Sequence, residues 1–428
     1  MESLNASKKC KKTKLGYIPV DWDILEFSKI AERSKEKFNP NSGDEKQCIE
    51  LENISQNTGS LLGVCNSKTL TSTKNRFYEN DILFGKLRPY LRKFLFCEFE
   101  GVCSSEIWVL RPKTKDKCFE KYLFYLIQTN KFIQASNVTS GSKMPRADWS
   151  YLTEIPFPLP SLPEQKKIAK ILSCWDNCIE KLEKVIELKE KRKKGLMQKL
   201  LTGKVRLTGL CSSKINNEKL IINNDLPDGW NKVKLNDAFE RVTRKNTVNN
   251  INVLTISAQF GLISQKDYFN KSVAEKNLSN YILIQNGEFA YNKSYSNGYP
   301  MGAIKRLDKY KTGIVSTLYI VYKLKNMDSN SNYFKHYFDA GLLNEEIHGI
   351  AQEGARNHGL LNISISDFFN MKIIIPNTIE QKAIANVLDC ADNELEICRQ
   401  KLEAVKNQKK GLMQNLLTGK IRHPEFAK

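Results

Sequence analysis

Glu164-Gln165-Lys166, Gly195-Leu196-Met197-Gln198 and Leu200-Leu201-Thr202-Gly203-Lys204 return as Glu380-Gln381-Lys382, Gly411-Leu412-Met413-Gln414 and Leu416-Leu417-Thr418-Gly419-Lys420. Each phrase of the second set lies 216 residues after its counterpart, as positions 164 and 380 show. About half of the aligned positions are identical, so the segment is an internal repeat and sets the architecture before any local reading. The stretches ahead of each copy differ from one another apart from a short opening echo. One scaffold has been duplicated around two unlike payloads, which is the layout expected of a protein that measures a distance between two different things.

The repeated segment reads as helix. Ser161-Leu162-Pro163-Glu164 has the form of a capping box, with a hydroxyl for the N3 amide and a carboxylate reaching back, and Asn377-Thr378-Ile379-Glu380 repeats it. Apolar residues recur near heptad spacing at Ile168, Ile171, Trp175, Cys178, Leu182 and Val185, and again at Ile384, Val387, Ala391, Cys398, Leu402 and Val405. Gly203 and Gly419 stand where a glycine ends a helix, so each copy runs about 38 residues, or about 57 Å. A seam that long needs a partner, and the other copy supplies it. An antiparallel, pseudo-two-fold pairing buries both seams and sends the payloads to opposite ends, as in a dumbbell.

The payloads open alike, with Pro19 three residues before Trp22 and Pro227 three before Trp230. Alternating β-branched and aromatic runs at 81–91, 102–110, 282–291 and 313–324, with helical patterns at 119–133 and 333–347, make each a mixed α and β domain.

The chain has 428 residues, enough for two or three domains, and a formal net charge of +20 from 67 Lys and Arg against 47 Asp and Glu. That excess favours an anionic polymer or surface as partner. No run of 18 apolar residues offers a membrane span and the first 14 residues lack an apolar h-region, so a cytoplasmic protein without membrane contact is expected. The 11 cysteines include no C-x-x-C pair and the four histidines are scattered, so no metal site is expected. Cys174 and Cys178 lie one turn apart, but cysteine is commonly a small hydrophobe. No P-loop, dinucleotide fingerprint, zinc-protease helix, nucleophile elbow or Asn-Pro-Pro-aromatic tetrapeptide occurs, so no catalytic residues are assigned.

The payloads offer donors and aromatics instead. Lys86, Arg88, Arg92 and Lys93 place four cations in eight residues around Tyr90, and Ser142, Lys143 and Arg146 sit in a glycine-led basic loop. The second payload has Asn292, Lys293, Ser294, Tyr295 and Tyr299, then Arg356, Asn357 and His358. Such side chains neutralise phosphates or reach base edges, and these residues are the DNA-contact candidates. The basic run 189–194, interrupted by Glu190, reads as a solvated helix face or a partner surface.

These phrases, in this order and twice over, resemble the specificity subunit of type I restriction-modification systems. The resemblance covers nearly the whole chain and rests on the P-x-x-W openings, the phrases 84–90 and 289–300, the proline-rich entry 155–163 and the paired helices. It implies an α+β protein in which two mixed α/β target-recognition domains are separated by two long antiparallel coiled-coil helices with pseudo-two-fold symmetry. The corresponding spans are 1–160 and 225–376 for the domains, 161–206 and 377–422 for the helices, 207–224 for a linker and 423–428 for a tail. Each domain would read one block of a split, asymmetric double-stranded DNA target. The helices would fix the spacer and dock two modification methyltransferase subunits, and restriction motor-nuclease subunits would complete the complex. S-adenosylmethionine, ATP and Mg would be bound by those partners, with no cofactor in this chain. Two other readings stay open, a stand-alone bipartite DNA-binding regulator and a coiled-coil interaction adaptor.

Overall fold

In the computed structural model the described residues are 10–40, 44–140, 144–207, 226–257, 261–269, 277–294, 299–326, 328–351 and 361–427. The chain forms two compact units, Met1–Glu183 with Gln400–Lys428, and Lys184–Arg399. The first unit is discontinuous in sequence and the second is one continuous segment, because the long helices, Leu162–Leu200 and Thr378–Leu417, each give about one half to each unit.

In the first unit a four-stranded antiparallel sheet runs in the order Phe94–Phe96, Ile82–Gly85, Ile107–Pro112, Ala31–Arg33. Strand Ile82–Gly85 is buried at all four residues, as its unbroken apolar run requires of a central strand. A five-stranded sheet lies beside it in the order Lys37–Phe38, Lys74–Phe77, Gly101–Cys103, Gln47–Ile49, Cys65–Asn66. Asp23–Glu26, just after the Trp22 opening, pairs with Pro156–Leu159, just before the long helix. The core joins Phe27, Phe84, Trp108, Phe132 and Phe157 to Ile168 and Leu172 of one long helix and to Met413, Leu416 and Leu417 of the other.

The second unit repeats this plan with other residues. Its four-stranded sheet runs in the order Ala303–Arg306, Phe289–Asn292, Ile320–Leu324, Phe239–Arg241. Trp230–Lys234 pairs with Lys372–Pro376. The counterpart of the five-stranded sheet is looser: Leu254–Ser257 pairs with Gly261–Ser264 and Ile282–Gln285 with Thr312–Val315, joined by single bridges, parallel between Val253 and Ile314 and antiparallel between Lys245 and Ile282. Its core joins Phe239, Phe289, Tyr322, Phe334 and Phe338 to Met197, Leu200 and Leu201 and to Ile384, Ala385 and Leu388.

Within each unit the two helix halves run antiparallel. In the first, Asp176 pairs with Lys409 and Glu183 with Lys406. In the second, Lys189 pairs with Glu394 and Lys193 with Asp392. Of the seam residues, Ile168, Ile384 and Leu402 are buried, and Ile171, Trp175, Leu182, Val387, Ala391 and Val405 are half-buried. Cys178 and Val185 depart from the heptad expectation: Cys178 is exposed and Val185 is 39% exposed, whereas Ile186 beside Val185 is buried. Eighteen residues make about five turns at 3.6 per turn, so Ile186 shares a helix face with Ile168, whereas a strict heptad count drifts off that face. Each helix stops at a glycine in the left-handed region, Gly203 with φ 69° and Gly419 with φ 71°. A Cβ on Gly203 would collide with Pro227, and one on Gly419 with Pro19. The repeat's glycines therefore both end the helix and let it dock on a P-x-x-W opening. Among the described residues no helix is long and apolar enough to cross a membrane, and no cluster of three or more His, Cys, Asp or Glu is placed to hold a metal.

Candidate nucleic-acid interface

The helix entries fasten each domain to the scaffold. Glu164, 1% exposed, does not reach back to its own helix start. Its carboxylate accepts the Trp22 indole N–H at 3.0 Å and two bonds from Arg422, at 2.8 and 2.7 Å. Arg422 also spans Asp21 at 3.0 and 2.7 Å, and these carboxylates hold its pKa above the usual arginine value, Glu164 foremost. The capping-box role expected for Glu164 is thus corrected: a guanidinium brought in by the fold outcompetes a backbone amide for a buried carboxylate. In the second unit Glu380 is held by Arg206 at 3.0 and 2.7 Å. There half of the expected cap is present, the Glu380 N–H donating to Asn377 Oδ1 at 3.0 Å. Gln165 and Gln381 are buried beside them. Gln165 donates to Pro160 O and Lys117 O, both at 2.8 Å, and accepts from Phe119 N at 2.9 Å. Gln381 donates to Pro376 O and accepts from Asn330 N, both at 3.0 Å. The repeated Glu-Gln dipeptide therefore fastens each domain to a helix. Sequence reasoning missed Arg206 and Arg422, although the repeat offers the signal: Val205-Arg206 and Ile421-Arg422 keep the same 216-residue offset.

In the first domain strand Ile82–Gly85 leads into a turn at Pro89–Leu91, flanked by Arg88 and Arg92, both at φ 51°. Arg88 and Tyr90 are exposed, and among the described residues their side chains have no polar partner. Arg92 and Lys93 are committed to the fold. Arg92 Nη2 donates to Asn130 Oδ1 at 2.8 Å, and Lys93 Nζ to Leu51 O at 2.6 Å. Arg146 is brought against this turn by main-chain bonds: Arg88 N donates to Pro145 O at 2.8 Å and Ala147 N to Lys86 O at 2.9 Å. Glu106, which sequence reasoning also missed, lies between them. Arg146 donates to it through Nε and Nη2, and Lys86 Nζ is 3.9 Å away. Hydrogen bonding from Arg146, and then the charge of Lys86, hold the Glu106 carboxyl below its ordinary pKa despite partial burial. Ser142 and Lys143 lie outside the described residues.

In the second domain Asn292 Oδ1 accepts from Ser294 N at 3.1 Å, and Lys293 O accepts from Leu361 N at 3.0 Å. Asn292, Lys293 and Ser294 are half-buried. Tyr299 lines a cleft of about 200 Å³ with Gly302, Asp339 and Asn344, and the Lys305 ammonium stands 5.3 Å from its ring centre. Lys305 is itself paired with Asp339 at 2.6 Å. Tyr295, Arg356, Asn357 and His358 lie outside the described residues.

Residues 19–190 match the type I restriction modification DNA specificity domain. The specificity subunit of the type I restriction enzyme MjaVIII from Methanocaldococcus jannaschii is 31% identical over 352 residues, covering 77% of this chain and 76% of that protein. This chain belongs to the type I restriction-modification specificity subunits. Such subunits are non-catalytic: they bind DNA through target-recognition domains and assemble with the other subunits of their complex. A second relative of this specificity subunit, from the MjaIX enzyme of the same organism, is 25% identical over 334 residues, 73% of this chain and 71% of that one. Among solved structures, the type I S subunit of M. genitalium shares the fold with a TM-score of 0.53 at 14% identity, covering 92% of this chain and 96% of that one.

Proposed function

We propose that this specificity subunit binds a split, asymmetric double-stranded DNA target, one block through residues 1–160 and the other through residues 225–376. The observation that carries the proposal is the repeat of one attachment in two unlike domains. Glu164 with Arg422 and Glu380 with Arg206 use equivalent helix positions, while the sheets they fasten differ in residue content and in how continuously their strands pair. An identical frame with different reading surfaces suits two different half-sites at a fixed separation. The net charge of +20 suits a polyanion.

In this reading the helices 161–206 and 377–422 dock two modification methyltransferase subunits, joined by restriction motor-nuclease subunits, in the cytoplasm. S-adenosylmethionine, ATP and Mg belong to those partners. The residues 207–224 link the two halves and 423–428 form a tail. The test is co-expression with a candidate modification methyltransferase from the same genome, followed by single-molecule mapping of N6-methyladenine. A split motif that vanishes when this chain is deleted supports the proposal. No motif, together with no co-purifying methyltransferase, sinks it in favour of a regulator or an adaptor. Within a working complex, Arg88→Ala and Lys293→Ala are each expected to lower affinity and to reduce the salt slope by about 1 if the residue neutralises a phosphate. An unchanged affinity and slope remove that residue from the interface.

A further inference from the structure

The Arg146–Glu106 pair presents a guanidinium that is fixed in plane and partly neutralised. Arg146 meets Glu106 side-on, Nε at 2.9 Å from one carboxylate oxygen and Nη2 at 3.0 Å from the other. That arrangement uses the Nε edge of the guanidinium and leaves the opposite edge, Nη1 with the second Nη2 proton, unpartnered among the described residues. The side chain is 43% exposed. A guanidinium whose charge is largely offset by a carboxylate is a poor phosphate clamp. Held rigid, however, its free edge presents two parallel N–H donors, the pattern that fits O6 and N7 of guanine in the major groove.

The pair is also not needed to hold the loop. The Arg88 N to Pro145 O and Ala147 N to Lys86 O bonds already fasten 145–147 to 86–88. A half-exposed ion pair adds little to stability beside such bonds. Its effect is on direction: Glu106 fixes the plane of the guanidinium, as an outer carboxylate orients a ligating side chain. Exposed Arg88 is joined through its main chain to Pro145, next to Arg146.

We propose that Arg146, oriented by Glu106, reads one guanine in the half-site bound by the first recognition domain. The assignment rests on the proposed reading of this chain as a DNA-specificity subunit. Among the described residues the second domain shows no equivalent pair. Trp108 faces Phe84 in the sheet, and Glu106 stands two residues before it; Ile320 faces Tyr291, and the residue two before it is Leu318. The proposal therefore concerns one half-site only.

The experiment uses the full chain co-purified with its methyltransferase and a randomised duplex library, comparing wild type with Arg146→Ala, Arg146→Lys and Glu106→Gln. Arg146→Ala and Arg146→Lys are expected to turn one guanine of one half-site into an unselected position, with the other half-site unchanged. Lysine cannot replace the fork, because an ammonium is a point donor. Glu106→Gln, which keeps shape and removes charge, is expected to weaken selection at that same guanine. Replacing that base by 7-deazaguanine should weaken wild-type binding roughly 10- to 100-fold and leave Arg146→Ala binding unaltered. A selected motif unchanged in both Arg146 variants overturns the guanine assignment and leaves the specificity-subunit reading intact. So does a uniform loss of affinity with every position retained, which marks a phosphate contact. If the wild-type complex selects no split motif, the broader reading fails and the assignment with it. Should Arg146→Ala fail to co-purify, Arg146→Lys and Glu106→Gln, which preserve charge or shape, decide the matter by the same outcomes.

Discussion

The first domain's attachment is fuller than the second's. Glu164 receives the Trp22 indole and the Arg422 guanidinium, and Asp21 steadies Arg422 from outside. Glu380 receives Arg206, while the indole nitrogen of Trp230 is buried without a hydrogen-bond partner. Position by position, what the helices supply is duplicated, and what the payload openings supply has diverged: Asp21 precedes Trp22, but Gly229 precedes Trp230. A similar contrast recurs inside the sheets. Asp81 accepts two bonds from Arg111, at 2.7 and 2.9 Å, whereas Glu288 accepts one from Arg244, at 2.7 Å, whose Nη1 is buried and unpaired. Burial accordingly pushes the Glu288 carboxyl above its ordinary pKa. The frame is held to a fixed chemistry, and the reading domains tolerate imperfect pairing.

Removing one arginine from each attachment tests that contrast most strongly. Arg206→Ala leaves a buried carboxylate without its guanidinium and should cost about 3–5 kcal/mol. Arg422→Ala should cost less, because the Trp22 N–H still donates to Glu164. Urea denaturation of the two variants compares them directly, and equal losses would show that the indole contributes nothing.

The next difference is in pH response. His336 and Tyr125 occupy matching places, since Phe119 and Asn330, six residues before each, bond Gln165 and Gln381 in the same way. Tyr125 donates to Asp176 at 2.6 Å, and burial chiefly pushes its pKa further above the physiological range. His336 contacts Asp389 at 2.8 Å, with Asp392 and Lys193 nearby, and burial holds its pKa below the ordinary value despite the two carboxylates. A lowered native pKa means that the unfolded chain takes up the proton first. This contribution to stability is therefore whole above about pH 6.5 and is lost as pH falls toward the native value. Wild type should lose more stability than His336→Gln between about pH 7.5 and about pH 5.5. A parallel decline of the two urea midpoints would assign the effect to other groups.

The smallest effect concerns exposed ion pairs. In the second unit Glu190 faces Arg399, and at the equivalent positions of the first unit Lys406 faces Glu183, with the signs reversed. Glu190→Lys should cost under about 1 kcal/mol, and adding Arg399→Glu should restore it. A double variant as weak as the single one would remove these pairs from the stability of the scaffold.

Much of this frame was legible in the sequence because a repeat displays itself. The helix limits followed from Gly203, Gly419 and the caps, and the seam followed from apolar spacing apart from Cys178 and Val185. The role of Glu164 was not legible, since a local pattern suggested a cap and the deciding partner, Arg422, is 258 positions away. Glu106 was hidden for the same reason: only the fold brings it to Arg146, 40 residues on. Local rules recover elements, while buried charges are assigned by whatever the fold carries to them.

The reversed polarity of Glu190–Arg399 and Lys406–Glu183 has a consequence for self-recognition. Suppose each half of the chain were expressed alone and paired with itself in the same antiparallel register. Two copies of the first half would set Glu190 against Glu183, and two copies of the second would set Lys406 against Arg399. Like charges would meet in both homodimers, and opposite charges only when the halves mix. Exchange between differently tagged halves is thus expected to favour the mixed pair at low salt, so that the duplicated sequence retains a means of telling itself from its twin.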